Sequence, residues 1–132
     1  MAELTDADLV KTIADFLEMG HVENIIAMFR QEPDYYRLSG DILRDERFAV
    51  RMGMAVLFEE MQTLRPDDIE QAIPSLIPLL GENNPFLRGE AANLLGLINT
   101  DAARKLLQPL INDPDPQVAE IARDALLNES SP

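Results

Sequence analysis

The sequence predicts an all-α protein, a right-handed α-solenoid of about four antiparallel helix pairs. Three observations carry this. Apolar residues recur at helical spacing almost throughout, as in Leu9, Ile13, Phe16 and Leu17 or in Val50, Met54, Leu57, Phe58 and Met61. The chain breakers fall between these runs and leave short loops, at Gly20, Pro33, Pro66, Gly81 to Pro85 and Asp113 to Pro116. One helix-length pattern returns with a period in the thirties, and the alternation expected of strands is missing.

Taken in order, the helices are expected near residues 6–18, 22–31, 34–43, 46–63, 67–80, 85–98, 101–111 and 115–128. Thr5 with Asp8 three residues later has the form of a capping box, and Gly20 suits a left-handed cap at the end of the first helix. Pro85 and Pro116 fall in the first turn of their helices, where the missing N–H costs little. Pro74, Pro78 and Pro109 fall inside expected helices, where each removes a backbone hydrogen bond and crowds the preceding turn, so bends are expected there.

The repeat becomes visible when VRMGMAVLF from Val50, LRGEAANLL from Leu87 and VAEIARDAL from Val118 are superimposed. Val50, Leu87 and Val118 share a column, as do Met54, Ala91 and Ala122; Leu57, Leu94 and Ala125; and Phe58, Leu95 and Leu126. These columns trace one face of a helix. Six residues before Arg51 and Arg88 an acid recurs, Asp45 and Glu82, and Asp113 takes that place before Ala119. Units of two helices that bury their apolar faces by stacking on one another form an α-solenoid.

Here the sequence resembles the HEAT-repeat family, especially the short bacterial repeats of the phycobilin lyase-like type. That family's motif has a proline in its first helix, an aspartate in the intra-repeat turn and a valine-arginine pair opening its second helix. Pro74, Glu82, Leu87 and Arg88 match it in one unit, Asp45, Val50 and Arg51 in another, and Asp113 and Val118 in the last. Arg37 and Lys105 stand where Pro74 does, and Ala119 replaces the arginine. The resemblance implies a structural ladder of Asp45, Arg51, Glu82, Arg88 and Asp113 running between adjacent units, and loss of the last arginine implies that the final unit is a cap. It divides residues 1–132, expected to be one domain, into a divergent helix pair over 1–33, three HEAT-like units over 34–128 and a tail over 129–132.

Composition narrows the function classes. The 132 residues suffice for one buried core. There is no cysteine, which removes disulfides, thiolate chemistry and cysteine-based metal sites. The net charge of -13, spread along the chain, disfavours nucleic acids and anionic membranes and suits a basic partner or simple solubility. No stretch approaches the roughly 18 apolar residues of a membrane span, and the amino terminus has acids where a signal peptide has bases, so a cytoplasmic protein is expected.

Catalytic and metal-binding constellations are thin. His21, the single histidine, follows Gly20 at a helix junction and reads as a turn residue. Glu59 and Glu60 point different ways on a helix, and Asp67 and Asp68 suit a helix N-terminus. NDPDP, Asn112 to Pro116, lacks the glycine and distant glutamate of a calcium loop. Tyr35 and Tyr36, followed by Arg37, have the composition of a surface anchor, but one of the pair is expected to pack inward and the structural reading leads. No cofactor is expected.

The outward columns of the second helices combine Ala49, Phe86 and Gln117; Met52, Gly89 and Glu120; Val56, Asn93 and Asp124; and Glu60, Leu97 and Asn128. Exposed together, Met52, Val56, Phe86 and Leu97 would form an apolar strip beside acids, the mark of a protein interaction site. The partner-binding candidates are therefore Met52, Val56, Phe86, Glu90, Asn93, Leu97, Gln117, Glu120 and Asp124. The expected function is a non-catalytic interaction or scaffold module, monomeric or weakly self-associating, for another protein with a basic surface. Two alternatives stand beside it: a tetrapyrrole-handling enzyme or chaperone, implied by the resemblance to phycobilin lyases, and a self-associating structural array.

Overall fold

The computed structural model describes residues 4–128, and the expected tail over 129–132 lies outside them. Eight α-helices follow one another: α1 (Asp6–Glu18), α2 (Val22–Gln31), α3 (Ser39–Leu43), α4 (Phe48–Leu64), α5 (Ile73–Leu80), α6 (Pro85–Ile98), α7 (Asp101–Leu107) and α8 (Pro116–Leu127). Among the described residues there is no strand.

The ends of these helices follow from local chemistry. The Thr5 hydroxyl accepts from the Asp8 N–H, while the Asp8 carboxylate accepts from the Thr5 N–H, a complete capping box. Gly20, at φ +85°, closes α1, with its N–H donating to the Leu17 carbonyl and the His21 N–H to that of Phe16. The side chains of Asn84, Thr100 and Asp115 cap α6, α7 and α8, and Pro85 and Pro116 occupy first turns.

Three expected helices are each split between α and tighter 3-10 geometry. Pro33–Leu38 is a 3-10 segment before α3, Ile69–Ala72 one before α5, and Gln108–Asn112 one after α7. Proline explains the division in the second and third: an unbroken α-helix over 67–80 would need a hydrogen bond from the nitrogen of Pro74, and one over 101–111 from that of Pro109, and neither carries a hydrogen. Pro74 therefore stands in the first turn of α5 rather than mid-helix, whereas Pro78 lies inside it. Helix α4 begins at Phe48, two residues later than expected, because the Asp45 carboxylate accepts from the Arg47 N–H and holds the chain in a turn.

The core is a continuous apolar seam. Val50, Met54, Leu57, Phe58 and Met61 of α4 are fully buried, as are Ala91 and Leu95 of α6 and Ala122 of α8, while Leu87, Ala125 and Leu126 are half-buried at its margin. Phe29, Tyr36 and Phe58 stack edge to face, with centroids 4.9 and 5.6 Å apart, and join α2 to α4 through the first 3-10 segment. Tyr36 is thus the inward-packed tyrosine. Its hydroxyl has no hydrogen-bond partner among the described residues, and burial, with nearby Asp68, pushes it far above the usual tyrosine range. Half-buried Tyr35 lies against Phe29.

Helices pack on their counterparts in neighbouring units. Second helices form one row, α4 on α6 and α6 on α8, and α3 meets α5 in the row of first helices. The α3–α5 contact requires glycine: a Cβ on Gly40 would overlap the Ser75 carbonyl oxygen, and the Gly40 N–H donates to Ser75 Oγ at 3.1 Å. A sequence in which each unit covers the next, with all described residues outside loops helical, has the architecture of a HEAT-like α-solenoid.

Candidate interaction surface

The row α4, α6, α8 presents one side to solvent, and the residues expected to recognise a partner divide into three groups there. Met52 (49 % exposed), Val56 (37 %) and Phe86 (48 %) are solvent-facing apolar side chains. Asn93, Gln117, Glu120 and Asp124 are exposed polar ones. Glu90 and Leu97 are half-buried.

The single continuous strip expected from the outward columns is interrupted. Gly89, assigned to an outward column, is buried beneath Ile121 and Val118, and Leu97 shares a cavity with Gly96, Ile121 and Ala125. The reason is close packing: Gly89 and Gly96 have no side chains to hold α8 away, so α8 covers part of α6. An apolar side chain that the columns missed extends the surface in the other direction. Phe48, the first residue of α4, is 72 % exposed and precedes Met52 by four residues and Val56 by eight. That spacing was the available signal, since it places all three on one side of a helix.

Phe86 is not a free-standing ring. The Arg51 guanidinium lies 4.1 Å from its centroid, in a cation–π contact, and Arg51 Nε donates to the Leu43 carbonyl at 3.3 Å. Glu90 sits nearby. Burial raises its carboxyl above the usual glutamate range, and the charge of Arg51 only partly opposes this.

The charged turn residues are arranged differently at each junction. Arg88 Nε and Nη2 donate to the two carboxylate oxygens of Asp113 at 2.8 and 2.9 Å, and its Nη1 donates to the carbonyls of Glu82 and Asn83. The Asp113 carboxyl is held below its ordinary range by Arg88. At the preceding junction Glu82 pairs with Arg44 at 2.8 Å, not with Arg51. Asp45 is engaged by Arg47, which also reaches Asp15 of α1 at 3.1 Å. The uniform acid–arginine ladder implied by the resemblance is therefore replaced by different partners at Arg51 and Asp45.

Two cavities line the α6–α8 seam. One, of about 270 Å³, is bordered by Phe86, Glu90, Val118 and Ile121, and the other, of about 250 Å³, by Asn93, Leu97, Ile121 and Asp124. His21 is exposed and meets the Phe16 ring in an edge-to-face arrangement. Among the described residues no three histidine, aspartate or glutamate side chains are placed to hold a metal ion, and no helix is long and apolar enough to cross a membrane.

One of the comparisons with known proteins agrees with the architecture. Searches of curated proteins and of solved structures returned no match. A family model of HEAT repeats matches residues 39–127, more than half of the chain and the part that holds the repeated columns, the stacked second helices and the charged turns. The chain belongs to the HEAT-repeat family.

Proposed function

We propose that the chain is a non-catalytic module that binds another protein through the face formed by α4, α6 and α8. The observation that supports this reading is the exposure of Phe48, Met52, Val56 and Phe86 along second helices that also carry the acids Glu59, Glu60, Glu90 and Glu120. Apolar side chains at that density are costly to leave in water and give a partner area to bury. With a net charge of -13 the preferred partner carries a basic surface. In this reading residues 1–132 act as one cytoplasmic unit, with α1 and α2 as a divergent first pair and the later turns as structural spacers.

The tetrapyrrole alternative asks for a deep groove with a carboxylate or tyrosine at the pigment. The cavities on this face are small and Tyr36 is a core residue, which favours a protein partner.

The test is affinity capture from a lysate of the source organism, with the wild type against a Met52→Glu, Val56→Glu variant whose helicity is checked by circular dichroism. A discrete protein retained by the wild type and lost by the folded variant is the expected result. Equal capture by both, or a mass that doubles with concentration in the absence of any partner, overturns it.

A further inference from the structure

The α6–α8 seam of the second-helix face is concave. Gly89 lies beneath Ile121, whose Cδ1 would stand 3.4 Å from a Cβ at that position. The larger of the two seam cavities opens beside it, walled by Pro85, Phe86, Val118 and Ile121, with Glu90 and Asp115 as its acids.

Glu90 is the anomaly in this cavity. It is half-buried among apolar side chains and, among the described residues, makes no hydrogen bond and no ion pair. Arg51 acts on it only as a nearby charge, because its guanidinium is held on the Phe86 ring and by the Leu43 carbonyl. Asp115 on the opposite wall is already engaged as the cap of α8, accepting from the N–H groups of Gln117 and Val118. Glu90 is thus an acceptor with capacity to spare, facing a space with apolar walls.

The occupant follows from these constraints. An apolar side chain would seal the carboxylate from water and give it no partner, which is costly. An anion would be repelled by Glu90 and by Asp115. An arginine or lysine satisfies both demands, since its methylene stem covers apolar surface while its head meets a carboxylate.

Resting on the protein-binding reading of this face, we infer that the cavity between α6 and α8 receives one arginine or lysine side chain of the partner, its stem between Phe86 and Ile121 and its cationic head at Glu90.

The test uses the whole chain, labelled with nitrogen-15 and titrated with a short peptide bearing one central arginine flanked by leucines. A second peptide carries norleucine in place of the arginine. The arginine peptide is expected to shift the backbone signals of Phe86 to Glu90 and of Gln117 to Ile121, and to bind about tenfold more tightly than the norleucine peptide. Glu90→Gln, which keeps the shape of the side chain, removes that preference, whereas Arg51→Gln, which withdraws the competing cation, strengthens arginine-peptide binding about twofold. Shifts elsewhere, no shifts at millimolar peptide, equal affinity of the two peptides, or an unchanged preference in Glu90→Gln each overturn the inference. The captured partner separates this failure from that of the broader reading. Loss on Met52→Glu, Val56→Glu with full retention on Glu90→Gln keeps the face and removes the cavity, whereas retention by every variant removes the face itself.

Discussion

Two junctions between successive units each bring an arginine and an acid to the same columns and close differently. Between α6 and α8, Arg88 grips both oxygens of Asp113, and the two side chains are 13 % and 5 % exposed. Between α4 and α6, Arg51 stands in the same column as Arg88, yet Glu82 goes to Arg44 and Arg51 lies on Phe86. The difference begins in the acids. Asp113 is short, and one of its oxygens also accepts from the Asp115 N–H at 2.9 Å, so its carboxylate is already fixed when Arg88 arrives. Glu82 is one methylene longer and reaches a different arginine. The junction that lacks the buried pair is tied instead through its first helices, where Gly40 meets Ser75. One junction is thus locked by a nearly buried ion pair and the other by backbone contact beside the more exposed pair of Arg44 and Glu82, which leaves Arg51 to support an exposed aromatic ring.

The comparison is broken most severely at the locked junction. Asp113→Ala leaves the Arg88 guanidinium nearly buried without its carboxylate, and the expected loss is about 3 kcal/mol, read from urea unfolding. Joint replacement of Arg88 and Asp113 by methionine and leucine should cost clearly less than the sum of the single losses, because no charge is stranded. Next comes Gly40→Ala, whose new methyl overlaps a backbone oxygen that cannot rotate away, with an expected loss of about 2 kcal/mol. Arg51→Ala removes only a partly exposed cation–π contact and one long hydrogen bond, so about 0.5–1 kcal/mol is expected. If Arg51→Ala proves as damaging as Asp113→Ala, the two junctions are equivalent and the contrast fails.

These particulars also mark where sequence reasoning runs out. The helix order was legible because its signals are local: the Thr5 and Asp8 pair, Gly20, Pro85 and Pro116 each act within one turn of themselves. The core columns were legible because helical period alone turns Val50, Met54, Leu57 and Phe58 to one side. The 3-10 segments were not, since the division around Pro74 and Pro109 depends on which hydrogen bonds a neighbouring turn can still make. Gly89 was misplaced for a related reason. Periodicity within α6 assigns it a side but says nothing of how closely α8 approaches. The choice of Glu82 between Arg44 and Arg51 is settled by ångströms in three dimensions, which spacing along the chain does not encode.

The mildest test compares two carboxylates that respond to pH with opposite sign. Asp113 is held below its ordinary value of 3.8 by Arg88. Its folded form therefore prefers the anion, and the stabilisation is complete above that ordinary value and lost as pH falls through the lower folded one. Glu90 is raised above its ordinary value of 4.5 by burial. Its folded form prefers the proton, so its contribution is present below the ordinary value and lost as pH rises through the higher folded one. Two variants isolate the two signs in urea midpoints taken at about pH 7 and about pH 3. Asp113→Asn should lower the midpoint most at neutral pH and less in acid, where the wild-type pair is itself weakening. Glu90→Gln should raise it slightly at neutral pH and leave it little changed in acid. The increase is small because the carboxylate still reaches water on one side, and it is the stability that a cationic side chain seated in the α6–α8 cavity would restore without mutation. A midpoint that falls at neutral pH in Glu90→Gln would mean that the charge of Arg51, not burial, governs this carboxylate. The α4–α6 junction would then carry an interaction of Arg51 with Glu90 beside the pair of Arg44 and Glu82.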